Sequence, residues 1–151
     1  MTRKILTRSS IVLLIAFVAD VSIPARAAAS KDGVSITQLD DRLRIEINGE
    51  LFSEYHFKDV SRPFLYPVIG PDGLLMTRDW PMKDADNEEH DHKHHRSLWF
   101  EHGEMNGVDF WSEEPRAGKT IHEEFTGVKS GRDQGVIKSK NKYVAPDGKV
   151  V

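Results

Sequence analysis

An antiparallel all-β fold, a sandwich or a barrel, is what this sequence predicts, and three observations predict it. The first is Arg42-Leu43-Arg44-Ile45-Glu46-Ile47, where polar and apolar side chains alternate strictly, the period of a strand with one buried face. The second is Asn48-Gly49 directly after it, two residues that tolerate positive φ and so close a two-residue hairpin. The third is spacing. Short apolar or alternating runs recur with turn signals about every ten residues, and no segment carries a capped amphipathic helix pattern.

Taken in order, residues 34–39 form a first strand candidate, 42–47 the second, and 51–57 the return strand after the Asn-Gly turn. Residues 63–68 are apolar but carry Pro63 and Pro67, which marks an edge or irregular strand, because proline donates no ladder hydrogen bond. Gly70-Pro71-Asp72-Gly73 reads as a turn, and the polar, aperiodic stretch 81–95 as a long loop. Residues 97–100 and 108–111 are short strand candidates, with Asn106-Gly107 a tight turn between the flanks of His102 and Asp109. Two further strands, 120–129 and 135–144, surround Ser130-Gly131-Arg132-Asp133. After Ala145-Pro146-Asp147-Gly148, residues 149–151 begin a strand that needs a partner. The expectation is therefore a longer intact protein, with residues 28–151 the N-terminal part of one domain.

Ahead of the strands, Arg3, Lys4 and Arg8 precede an apolar run over 11–23, and Ala25 and Ala27 supply small side chains before a cleavage point. That is the layout of a secretory signal peptide over residues 1–27. The run is too short to cross the ~30 Å of bilayer hydrocarbon as a helix, so no membrane span is expected after cleavage. Cleavage after Ala27 removes four cations and one anion, leaving 17 basic and 23 acidic residues, a net of −6. An acidic chain argues against nucleic acid as partner. Cysteine is absent, which excludes thiol catalysis, thiolate ligands and iron–sulfur clusters; a metal here would need nitrogen and oxygen donors.

Chemistry concentrates in one segment. His90, His92, His94, His95 and His102 fall within 13 residues, with Glu88, Glu89, Asp91, Glu101 and Glu104 beside them. Imidazole is the commonest metal ligand and titrates nearest neutral pH. His90, His92, His94 and His102 are the candidate ligands for one transition metal such as copper, iron, zinc or manganese. No His-Glu-x-x-His is present, and His102, Glu104 and the distant His122 offer only a short two-histidine, one-carboxylate pattern. The metal-free alternative uses His94 or His95 as acid or base, with Arg96 and His102 orienting a hydroxylated or anionic ligand. Trp99, Trp111 and Asn106 are candidate substrate-binding residues, since an aromatic face stacks on a sugar ring while its hydroxyls find polar partners. Phe100 and Phe110 read as core, Glu101 as a surface charge or an added ligand, and Arg78, Asp79 and Trp80 as a solvated turn or the wall of the loop.

Residues 63–73 (Pro-Phe-Leu-Tyr-Pro-Val-Ile-Gly-Pro-Asp-Gly), Thr77-Arg78-Asp79-Trp80-Pro81-Met82, residues 90–100 with their His-His-Arg-Ser-Leu-Trp-Phe block, and residues 102–111 resemble the PmoA-like domain family. Its members are exported bacterial proteins labelled "methane oxygenase PmoA". The resemblance covers most of the chain after the leader and departs at Lys93, where proline is common, and at Glu101, where a small or apolar residue is usual. It implies a large antiparallel β-sandwich similar to the galactose-mutarotase superfold, which hosts sugar epimerases, lyases and binding proteins. It also implies a chain roughly twice this long.

The expectation is thus an exported, carbohydrate-active or carbohydrate-binding β-sandwich whose partner is a small molecule or polysaccharide. The alternatives are a copper- or iron-dependent oxidoreductase, as the family label implies, and a non-catalytic envelope module.

Overall fold

The computed structural model describes residues 32–151, so the expected leader over 1–27 and its expected cleavage point lie outside the described residues. Among the described residues, nine strands and one short 3-10 turn, Pro71–Gly73, make up the regular structure, and every strand pair is antiparallel. The all-β expectation holds. No helix among the described residues is long and apolar enough to cross a membrane.

Strands β1 (Val34–Gln38), β2 (Arg42–Ile47), β3 (Glu50–His56), β4 (Phe64–Val68) and β5 (Leu98–Trp99) form a five-stranded meander in sequence order. Asn48 and Gly49 both take left-handed backbone, φ +54° and +82°, which is why that pair closes the β2–β3 hairpin. Asn48 also accepts the Gly33 amide through its side chain at 2.8 Å, tying the turn to the start of β1. The expected edge role of 63–68 is corrected: β4 lies between β3 and β5, but pairs with β5 only through Phe64 and Leu65. The irregularity is real, since the β3–β4 register shifts between Ser53 and Tyr55.

β6 (Glu104–Met105) and β7 (Val108–Asp109) form a tight hairpin around Asn106-Gly107, and β8 (Lys119–Lys129) and β9 (Val136–Val144) form a long one. Cross-strand partners share a face, so Leu43, Tyr55, Leu65 and Leu98 lie on one side of the meander and His56, Phe64 and Trp99 on the other. The β8–β9 hairpin packs on the first side. Phe125 meets Tyr55 and Phe57, and Gly135 sits against Val34 and Ile36. Leu43, Ile45, Phe64 and Phe110 are the buried apolar residues. Phe110 is core as expected; Phe100 is not, at 84% exposed, because it lies one residue past the short β5 and projects from the sheet edge.

Candidate functional site

The site is built where the long loop returns to the meander at β5. Its first part is fixed by hydrogen bonds rather than by strands. The Glu88 carboxylate accepts the backbone amides of Asp79 and Trp80 at 2.9 and 2.7 Å. Tyr66 donates its hydroxyl to Asp79 at 2.7 Å. Arg78 spans the loop to the Asp91 carboxylate at 2.7 Å and to the carbonyls of Asp91 and His92. Trp80 donates its indole N–H to the Asp91 carbonyl at 2.9 Å and stacks on His90, with ring centroids 4.1 Å apart. Hydrogen bonds from Arg78 and His92 hold the Asp91 carboxyl down to about 2, so it stays charged. Of the two readings of Arg78, Asp79 and Trp80, they are the wall of the loop.

A tight reversal follows. His95 donates its amide to the His92 carbonyl at 2.8 Å, and Arg96 and Ser97 donate to the carbonyls of His94 and His95. His92 and Ser97 both take positive φ, +38° and +61°, backbone that non-glycine residues rarely adopt and that clusters at functional sites. The reversal gathers three imidazoles: His94–His95, His92–His95 and His92–His94 centroids lie 4.5, 4.8 and 5.8 Å apart. Two indoles border them. Trp99 lies 5.4 Å from His95, Trp111 lies 6.1 Å from His94, and the two tryptophans stand 5.7 Å apart at 56°. Burial, followed by the neighbouring imidazoles and Arg62, pushes His94 below the ordinary histidine range. Burial, then His92 and Arg78, does the same to His95. Both rings are therefore neutral at pH 7, each with one donor and one acceptor nitrogen.

Behind this face lies a network of four charges. Arg96 forks onto Glu113 with Nε and Nη2, each at 2.8 Å, and its guanidinium lies 5.6 Å from the centre of the Phe64 ring. Glu113 also accepts the Ser61 hydroxyl, and its own backbone is left-handed at φ +55°. Arg62 is 1% exposed; it donates to the Trp111 carbonyl at 2.7 Å and lies 3.6 Å from Glu113 and 3.8 Å from Glu101. Burial works against the charge on Arg62, and Glu113 and Glu101 oppose that effect. Burial also pushes the Glu113 carboxyl up, but hydrogen bonds from Arg96 and Ser61 outweigh it and hold it below its usual value. The Glu101 side chain, expected at the surface, is fully buried and accepts the Thr120 hydroxyl at 2.7 Å. Fixing Trp111 through its carbonyl and Arg96 through its fork, the network sets one edge of the imidazole–indole face.

The structure thus brings together His92, His94, His95, Arg96, Trp99 and Trp111. It does not bring in His90, which stacks on Trp80 and pairs with Asp84 at 3.1 Å. His102 stands apart on the exposed segment after Glu101, with no ring contact to the cluster. Asn106 serves the β6–β7 turn at φ +51°. His122 sits on β8 between Phe57 and Phe125, away from Glu104. The expected four-histidine ligand set therefore fails to converge, and no three His, Asp or Glu side chains among the described residues are placed to hold a metal ion. The reason is local: the Trp80 stack holds His90, the Asp91 carboxylate holds His92 Nδ1 at 2.6 Å, and β5 intervenes before His102.

Sequence reasoning missed Ser61, Arg62 and Glu113, and it passed over His56, whose ring stacks on Phe64 at 5.0 Å. A charged residue just before Pro63-Phe64-Leu65, in an otherwise apolar run, was the available signal for Arg62.

No curated protein and no solved structure matches the chain. The model of a protein family does match, over residues 42–151, a span that takes in β2 to β9, the three imidazoles, both indoles and the four-charge network. The chain belongs to that family, the family of unknown function DUF6807.

Proposed function

We propose that the chain binds a carbohydrate, or acts on one, at the face formed by His92, His94, His95, Trp99 and Trp111. The observation that carries this reading is the pair of indoles 5.7 Å apart against an imidazole cluster in which His94 and His95 are neutral at pH 7. Indole faces stack on the C–H face of a sugar ring, and neutral imidazoles give and take hydrogen bonds with its hydroxyls. Charge balance points the same way. Arg78 faces Asp91, Lys93 faces Glu114 and Arg96 faces Glu113, so every cation bordering the face has a carboxylate and an uncharged ligand suits it best. In an enzymatic version His94 or His95 moves the proton and Arg96, held by Glu113, orients the substrate. The resemblance to PmoA-like proteins and the mutarotase superfold, and export through a cleaved leader, fit this reading and belong to the same proposal.

The test is a screen of neutral oligosaccharides by thermal stabilisation and calorimetry, comparing the wild type with Trp111→Ala and with His94→Ala/His95→Ala. Ligand-dependent stabilisation of the wild type, with Kd raised at least tenfold in both variants, is the expected result. Equal binding by wild type and variants would overturn the site. About one redox metal per chain in purified protein, lost in His92→Ala/His94→Ala, would replace the sugar reading with the oxidoreductase.

A further inference from the structure

A second concavity opens on the other side of Ser61, between the turn 57–61 and the start of β8, with a volume of about 610 Å³. Its walls are fixed. Thr120 donates its amide to the Ser61 carbonyl at 2.9 Å, and Phe57 donates to the Asp41 carbonyl at 3.2 Å. Phe57, Val60 and Ile121 supply apolar surface. His122 lines it too, its ring held 4.8 Å from Phe57 and 4.2 Å from Phe125, with Nδ1 3.4 Å from the Asn141 side-chain oxygen. Of the residues lining the cavity, Ser61 is shared with the four-charge network, through its hydrogen bond to Glu113.

The charges here are arranged differently from those around the imidazoles. Lys58 lines it from the turn and Lys119 from β8, and among the described residues neither has a carboxylate within ion-pair distance. Lys83, Lys93, Lys140, Lys142 and Lys149 each have one within 3.6 Å. Among the described residues Asp59 is the one carboxylate lining the cavity, so the two ammonium groups leave a net positive concavity on a chain whose net charge is −3. Two lysines lining one concavity from separate elements, beside apolar side chains and an imidazole, make a receptor for an oxyanion attached to a compact body. We infer that this cavity binds a small carboxylate- or phosphate-bearing molecule of about monosaccharide size, at a site separate from the imidazole–indole face.

The experiment titrates the full chain with glucuronate, glucose 6-phosphate and uncharged glucose at low salt, and repeats each titration with Lys58→Glu/Lys119→Glu and with Lys138→Glu as a charge control on β9. All three lysines are exposed, so the variants keep the fold. Expected is saturable binding of at least one anionic probe at millimolar concentration or below, weakened at least tenfold by the double reversal and little by Lys138→Glu. The tighter of the two anions identifies carboxylate or phosphate. Binding of glucose as tight as the anions that persists in His94→Ala/His95→Ala, an unchanged Kd in the double variant, an equal loss in Lys138→Glu, or no binding of either anion to about 10 mM would each overturn the inference. His94→Ala/His95→Ala is expected to leave this binding intact, which separates its failure from failure of the sugar site.

Discussion

Glu113 holds an unfavourable backbone conformation, φ +55°, and a partly buried negative charge at once. Left-handed backbone costs a non-glycine residue roughly 1–2 kcal/mol, so its surroundings must over-determine the position. They do so through the two-point bond from Arg96, the Ser61 hydroxyl and the field of Arg62. Removing the carboxylate leaves Arg62, already with Nε and Nη1 lacking hydrogen-bond partners, facing Glu101 alone. Glu113→Gln is therefore expected to destabilise the fold by the lower part of the about 3–5 kcal/mol that breaking a buried pair costs, since Arg96 keeps some access to water. Urea denaturation against wild type reads this directly; a loss below about 1 kcal/mol would show that the pairs contribute no more than exposed ones. The pH dependence separates the contributors. His94 and His95 have folded values below the unfolded 6.5, so the unfolded chain takes up protons first and stability falls as the pH drops below 6.5. Glu113, with a folded value below 4.5, contributes stability that is present above pH 4.5 and lost as the pH falls through its folded value. The Gln variant should keep the first decline and lose the Glu113 share of the second, while the shares of Asp91 and Asp109 remain.

Among the elements, what could be read early was what depends on neighbours in sequence. The β2–β3 hairpin follows from six alternating residues and Asn-Gly, both local signals, and the structure matches it within a residue. Stretch 81–95 is legible as a loop because it lacks periodicity, yet its anchoring by Glu88 and Arg78 is not, since a carboxylate that caps backbone amides looks in sequence like any solvated acid. Phe100 and Glu101 invert their expected places for a related reason: β5 is two residues long, so no periodicity extends to them. Past β7 the chain must pass close to Phe110, whose ring meets Tyr143 edge-on at 5.0 Å and is 1% exposed. Gly118 allows that passage. A Cβ at Gly118 would collide with the Phe110 ring, and the ring has no solvent-side space to yield into. Gly118→Ala should cost about 1–3 kcal/mol by overpacking. Thermal unfolding measures it, and Gly107→Ser, where a Cβ would meet nothing within 4 Å, shows what left-handed backbone alone costs at a glycine.

At the scale of the whole molecule, the two sides of the meander have different tasks. One is covered by the β8–β9 hairpin through Phe125, Tyr55 and Phe57, with Tyr55 Oη 3.4 Å from Ser139 Oγ; the other carries Phe64 and Trp99 beneath the imidazoles. This division explains why half of the candidate site was legible. His92, His94, His95, Arg96 and Trp99 lie within eight residues and are gathered by one local reversal, whereas Ser61 and Arg62 reach Glu113 and Trp111 across 52 and 49 residues, a pairing that exists only once the meander has formed. It also predicts that the covering hairpin and the imidazole–indole face respond separately to mutation. Phe125→Ala removes the ring that joins the hairpin to Tyr55 and Phe57, and, the residue being half-buried, should cost roughly 2 kcal/mol. The loss should appear first as faster hydrogen exchange at the β9 amides, because the hairpin is the part released. Amides of the 92–97 reversal should exchange at the wild-type rate, and fluorescence from Trp99 and Trp111 should keep its emission maximum, since their neighbours come from β4, β5 and the loops. A shift of that emission, or protection lost equally in both regions, would mean that the two sides form one cooperative unit through Thr120, which bonds Glu101 and Ser61 from β8.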